Sequence, residues 1–250
     1  MVAESTLREA AAAIVARPPL VALTGAGISA ESGIPTFRSP GGLWEKFDPA
    51  VYASIEAFRR DPAKYWSIRG ELIRNLDAYR PNPGHLALAE LEAAGLLRHL
   101  ITQNIDGLHQ KAGSRSVTEL HGNLREIFCL ACRRRYLAPR IPPGTPPRCD
   151  CGGVLKPNTV LFGEALPPAA LERALREAAG CGCLLVVGTS ALVQPAASLP
   201  SIAREHGAWV IEVNLERSAA AAELFLEGPA GVVLPQLAAR VLAEREKAPR

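Results

Sequence analysis

Leu20-Val21-Ala22-Leu23-Thr24-Gly25-Ala26-Gly27-Ile28-Ser29-Ala30 runs from a short apolar segment straight into the pattern G-x-G-x-x-A. The apolar part, residues 19–24, suits a buried parallel strand, and the glycines allow a tight turn that opens a helix. Such a turn lets the backbone approach a pyrophosphate while helix N–H groups face it. In an ordinary dehydrogenase a second strand ends about 20 residues on in an acid that holds a ribose. Here that place is taken by Ser39-Pro40-Gly41-Gly42-Leu43-Trp44. Dinucleotide binding therefore fits, standard hydride transfer fits less well, and a strand–helix turn with no ligand is the bland alternative.

Working outward, apolar runs at residues 97–102, 116–120, 183–188 and 208–214 read as further buried strands. Amphipathic stretches at 6–16, 83–94, 168–179, 198–206 and 235–247 read as helices. The clearest has Asn82 to cap it, Pro83 in its first turn and Gly95 to end it. Strands separated by helices predict an α/β fold, a Rossmann-like doubly wound parallel sheet. Two stretches break the alternation. Residues 39–80 hold Trp44, Phe47, Tyr52, Phe58, Tyr65 and Trp66, six of the thirteen aromatics, and read as a helical module behind a long loop. Residues 123–158 carry four cysteines and a proline-rich run at 139–148, with too few apolar residues to fold unaided. The expected division is a large domain of residues 1–38, 81–122 and 159–250, with the helical module at 39–80 and a zinc-binding module at 123–158.

The 250 residues are 48% hydrophobic and 21% charged, which excludes a disordered chain. A net charge of +3 gives no argument for nucleic acid or an anionic membrane. No apolar run is long enough to span a bilayer, and the N-terminus lacks a secretory pattern, so a cytoplasmic location with reduced cysteines is expected. There, Cys129-Leu130-Ala131-Cys132 and Cys149-Asp150-Cys151 form a C-x2-C…C-x-C array suited to tetrahedral zinc, structural because all four positions are cysteine. Cys181 and Cys183 flank a glycine at a strand mouth and read as small core residues.

Polar residues cluster at strand ends, where open α/β sheets bind ligands. These are Gln103-Asn104-Ile105-Asp106, His121-Gly122, Gly188-Thr189-Ser190 and Asn214. Asp106 equally fits a helix cap, and His121 a satisfied loop histidine. Of five histidines, His121 is the best placed for proton transfer near neutral pH; the other four default to core or surface.

At this point the residues resemble the sirtuin family of NAD-dependent protein lysine deacylases, of bacterial type. The matching blocks are the run from Gly25 to Arg38, then Thr102-Gln103-Asn104-Ile105-Asp106-Gly107-Leu108-His109, His121-Gly122, the four cysteines, Val160-Leu161-Phe162-Gly163-Glu164, Gly188-Thr189-Ser190 and Val213-Asn214. They stand in the family's order and cover nearly the whole chain. The resemblance implies NAD as co-substrate and one structural zinc per chain on Cys129, Cys132, Cys149 and Cys151. It implies cofactor contacts from Gly25, Ala26, Gly27, Ser29, Ala30, Thr36, Phe37, Arg38 and Trp44, and from Gln103, Asn104, Ile105 and Asp106. Further contacts would come from Gly188, Thr189, Ser190, Asn214, Leu215, Glu216 and Ala230. The acyl-lysine oxygen would attack the ribose C1′ as nicotinamide leaves. His121 is implied as general base, with Asn104 and Asp106 beside it, and the products would be free lysine and O-acyl-ADP-ribose.

Val160, Leu161, Phe162, Gly163 and Glu164 would pair with an acyl-lysine peptide as an added strand. Thr36 departs from the family's frequent Asp, as in many bacterial members. A Tyr-x-x-Arg pair that binds acidic acyl groups in some members is matched imperfectly by Tyr65-Trp66-Ser67-Ile68-Arg69, which puts Trp66 and Arg69 at the acyl pocket and leaves a desuccinylase side activity open. Rival readings are an ADP-ribosyltransferase using the same cleft and a zinc-ribbon nucleic-acid binder drawing on Arg133-Arg134-Arg135. Neither a membrane nor nucleic acid is an expected partner.

Overall fold

The computed structural model describes residues 2–36, 48, 53–138 and 144–247. The first part of the chain forms α1 (Glu4–Ala16), β1 (Leu20–Thr24), α2 (Ile55–Arg60), α3 (Pro62–Arg74), α4 (Pro83–Ala93), β2 (Leu97–Thr102), α5 (Leu108–Ala112) and β3 (Val117–Glu119). Then come β4 (Gly122–Cys129), β5 (Arg135–Leu137), β6 (Leu155–Thr159) and α6 (Pro168–Ala179). The chain finishes with β7 (Cys183–Val187), α7 (Leu199–Glu205), β8 (Trp209–Asn214), β9 (Leu224–Glu227) and α8 (Ala230–Lys247).

Six strands make one parallel sheet in the order β3-β2-β1-β7-β8-β9. All five residues of β1 and of β7 are buried, because helices cover both faces. The strand period of two divides them. Leu20, Ala22, Leu185 and Val187 join α1, α4 and α8 in one core, while Val21, Leu23, Leu184 and Val186 join α6 and α7 in another. Asn82 caps α4 as expected, its side chain accepting from the Gly84 and His85 amides.

A second sheet, antiparallel in the order β5-β4-β6, carries the cysteine-rich stretch. Its apolar side chains do not form a core of their own. Leu124, Ile127 and Leu155 pack with Ile55, Phe58, Tyr65, Trp66 and Ile73 of the helical segment. Each stretch is too poor in apolar residues alone, and together they enclose one cluster.

Besides the unforeseen strands β4 to β6, three elements differ from the sequence reading. The turn after β1 opens a 3-10 stretch, Ala26–Ser32, in place of an α-helix. The strand β9 was not expected; it is four residues long and half exposed at the sheet edge, so it carries little apolar signal. The last helix begins at Ala230, five residues ahead of the Pro235 at which the sequence pattern starts it. The reason is tertiary: the Glu31 carboxylate accepts the Gly231 amide at 2.6 Å and satisfies a first-turn donor.

Candidate active site

The carboxyl ends of β1, β2, β7 and β8 open into one large cavity of about 1400 Å³. It lies at the point where the sheet order reverses, between β1 and β7, the place where doubly wound sheets leave a crevice. The glycine turn closes its floor. The Gly25 and Gly27 amides donate to the Val187 and Gly188 carbonyls at 2.9 and 2.8 Å. A Cβ on Gly27 would lie 2.7 Å from the Gly188 Cα, so this glycine is required by the neighbouring strand's loop.

Polar side chains then tie the strand ends together. Asn104 Nδ2 donates to the Gly25 carbonyl at 3.0 Å and to Ser29 Oγ at 3.1 Å. Ser29 Oγ donates to Asp106 Oδ2 at 2.8 Å, and Asp106 Oδ1 accepts the Leu108 amide at 2.8 Å. Asp106 thus holds the start of α5 and faces the cavity at once. Burial raises its pKa, and the hydrogen bonds from Leu108 and Ser29 oppose that rise. Gln103 Nε2 donates to Thr189 Oγ1 at 2.9 Å, and Asn214 Nδ2 to the Thr189 carbonyl at 3.0 Å.

His121 lines the cavity with its Nδ1 3.0 Å from the Gln103 carbonyl. A carbonyl only accepts, so Nδ1 carries the proton and Nε2 keeps a free lone pair. Burial lowers the ring's pKa, and the bond to Gln103 partly offsets this. The imidazole is neutral at pH 7 and can take a proton at Nε2.

Beneath the cavity lies a pair the sequence reading assigned to default roles. His85 and His109 are buried with ring centroids 4.9 Å apart. His85 Nδ1 accepts the Asn82 amide and its Nε2 faces Ser29 Oγ, both at 3.4 Å. Burial holds His85 down to about 4, so it stays neutral and supports Ser29 from below. Only the fold could show this, because Ser29 lies 56 positions from His85.

The opposite wall is the stretch from Val160 to Glu164. The Val160 amide donates to the His121 carbonyl, and the Phe162 amide to that of Ala53, both at 2.9 Å. The Phe162 carbonyl accepts from Ile55, and the Leu161 amide bonds Glu164 Oε2 at 2.8 Å. The stretch is therefore a turn anchored inside the protein, with its cavity edge left from Gly163 onward.

Trp66 is not on that wall, contrary to the sequence reading. Its side chain is 3% exposed and its Nε1 donates to the Leu155 carbonyl at 2.9 Å. Tyr65 lines the cavity together with Arg69, one helical turn on. The helical period decides this, since residues four apart share a face and Trp66 is turned toward β6. Phe37, Arg38 and Trp44 lie outside the described residues. All the other residues expected at the cofactor and peptide sites line the cavity, and Glu31, Tyr65 and Thr159 join them.

Away from the cavity, the sulfurs of Cys129, Cys132, Cys149 and Cys151 lie within 4.8 Å of one another. The Cys129–Cys151 and Cys132–Cys149 separations are both 3.5 Å. Zn–S bonds of about 2.3 Å at tetrahedral angles give sulfur edges of about 3.8 Å, so the set fits zinc. Tyr136 Oη donates to Cys149 Sγ at 3.0 Å, and the Cys149 thiol is held down to about 6, first by a backbone hydrogen bond from Cys151. Cys181 and Cys183 are buried in the large-sheet cores, where burial pushes their thiols up to about 11 and 12.

Residues 25–195 match the Sir2 family. A relative from Pyrobaculum aerophilum, an NAD-dependent protein deacylase 2, is 52% identical over 227 residues, 88% of this chain and 90% of its own. A solved complex of a Sir2 homolog with NAD is 45% identical, with a TM-score of 0.87 over 98% of this chain and 96% of that one. A Sir2 protein bound to a myristoylated histone peptide is 38% identical, with a TM-score of 0.82 over 98% of this chain and all of that one. A family model matched over most of the chain, and a relative 52% identical over 88% of it, together show that the chain belongs to the Sir2 family.

Proposed function

We propose that this protein is an NAD-dependent protein lysine deacetylase, with a weaker activity on succinyl-lysine. The observation that carries the reading is His121. Its free Nε2 meets a cavity bounded on one side by the Gly25–Asn104–Asp106 network and on the other by the Val160–Glu164 turn. NAD, acyl-lysine and water are consumed, and nicotinamide, lysine and O-acyl-ADP-ribose leave.

The acyl oxygen is a weak nucleophile, so the cleft must hold it against the ribose C1′ in a near-attack geometry. The two walls on opposite sides of the cavity suit that task. Asn104, Ser29 and Asp106 orient the ribose end, and Gly25, Thr189, Ser190, Asn214, Leu215, Glu216 and Ala230 line the adenosine end. His121 Nε2 takes the proton of a ribose hydroxyl as that oxygen attacks the acyl carbon. Gly163 and Glu164 offer edge groups to an extended peptide, which reads backbone more than side chains. Cys129, Cys132, Cys149 and Cys151 would hold a zinc ion that braces the β4–β6 sheet, and none of the four lines the cavity. A reducing compartment such as the cytoplasm suits the six cysteines, none of them in a disulfide, and no helix among the described residues is long and apolar enough to cross a membrane.

Mass spectrometry of acetyl-, succinyl- and longer acyl-lysine peptides incubated with NAD tests the reading. It expects nicotinamide, O-acyl-ADP-ribose and a peptide shortened by its acyl mass. NAD with no nicotinamide and no peptide mass loss for any acyl group overturns it.

A further inference from the structure

Lys156 lies on β6, outside every motif the function uses, yet its side chain is only 3% exposed. Burying an ammonium that deeply is costly unless its donors are matched. Here they are: Nζ donates to the Thr159 carbonyl at 2.7 Å, to Glu164 Oε2 at 2.9 Å and weakly to the Pro157 carbonyl at 3.4 Å. The Phe128 ring covers it, with Nζ 5.5 Å from the centroid. Glu164 Oε2 in turn accepts the Leu161 amide, and the Glu164 amide returns to the Leu161 carbonyl. The ammonium therefore grips both ends of the wall turn, at Thr159 and at Glu164.

That turn is bonded to three separate parts of the molecule. His121 ties it to the large sheet, Ala53 and Ile55 to the helical segment, and Lys156 to the cysteine-bearing sheet. Of these three ties, two are backbone bonds, which any sequence keeps. The third, beyond the covalent continuation of β6 into Val160, is a single side chain that reaches Glu164 at the far end of the turn.

We infer that Lys156 is the positioning residue for acyl-peptide binding: it locks the Leu161–Glu164 turn and passes the order of the β4–β6 sheet to the peptide side of the cleft. This rests on the deacylase reading above. NAD lies against the strand ends, which Lys156 does not touch, so the two substrates must respond differently.

The test is steady-state kinetics of wild type, Lys156→Met and Lys156→Arg on acetyl-lysine peptide, varying peptide and NAD separately, with zinc content and melting recorded. Lys156→Met should raise the peptide KM by about tenfold to a hundredfold, the range for one lost charge-assisted hydrogen bond, and leave the NAD KM within about twofold. Lys156→Arg should recover most of the loss. In a cycle with Glu164→Gln, the double variant should be no worse than either single one. If Lys156→Met does not fold, Lys156→Gln, which keeps a donor for the Thr159 carbonyl, takes its place. A peptide KM unchanged in a folded, zinc-loaded variant overturns the inference. So does an equal loss in both KM values that Lys156→Arg fails to relieve. Wild type that releases no nicotinamide condemns the deacylase reading instead.

Discussion

Replacing Gly27 by Ala puts a number on how tightly β1 and β7 close the cavity floor. The added Cβ would stand 2.7 Å from the Gly188 Cα and 2.9 Å from its carbonyl oxygen. Ordinary contact begins at about 3.4 Å, so backbone must part by roughly 0.5–0.7 Å. No flexible side chain is there to yield. Overpacking of this kind costs about 1–3 kcal/mol, and it falls on the bonded pair Gly27 N–Gly188 O. Displacements near 1 Å cost reacting groups about a hundredfold. Gly27→Ala should therefore lose about 1–3 kcal/mol in urea unfolding and about tenfold or more in kcat/KM for NAD, read as nicotinamide release.

Gly33→Ala is the control. Gly33 ends the same 3-10 stretch with φ 83° and has nothing within 4 Å of an added Cβ. It should cost about 1–2 kcal/mol of left-handed strain and leave NAD kinetics nearly unchanged. A Gly27→Ala enzyme with NAD kinetics within about twofold of wild type would refute the argument.

Four further outcomes are expected. His121→Ala should lower turnover by about two to four decades with little change in NAD binding, and activity within about threefold of wild type would assign the base elsewhere. Because burial lowers the His121 pKa, the neutral base persists below the usual histidine range, and the acid limb of kcat/KM should have its midpoint below about 6.5; a midpoint above about 7 would contradict this. Cys149→Ser with Cys151→Ser should abolish zinc by metal analysis and destabilise the core shared by β4–β6 and α2–α3, whereas a full equivalent of zinc would disprove the ligand set. Arg69→Met should depress succinyl-lysine turnover more than acetyl-lysine turnover by about 1.5–3 kcal/mol, and equal effects on both would remove Arg69 from acyl recognition.

The parts of this protein that could be read from sequence are those whose cause is local. A run such as Leu97–Thr102 is buried at every position but Arg98, because its apolar residues are covered on both faces, and it became β2 with the expected bounds. Asn82, Pro83 and Gly95 announce α4 because capping involves residues a few positions apart. The cysteine array was legible because ligand pairs must be near in sequence to reach one ion.

Only the tertiary structure decided what depends on partners far along the chain. Glu31 starts α8 through a bond to Gly231, 200 positions away. Trp66 and Tyr65 are neighbours in sequence, yet one was claimed by the Leu155 carbonyl and the other by the cavity. Their places depend on how α3 is rotated against β6, an angle fixed by the shared core and encoded in no single window. Ser29 became the centre of the site's hydrogen bonds because His85 from α4 and Asn104 and Asp106 from the loop after β2 reach it from two distant segments. Local physics chooses elements; the burial of unlike segments against each other chooses which side chains meet.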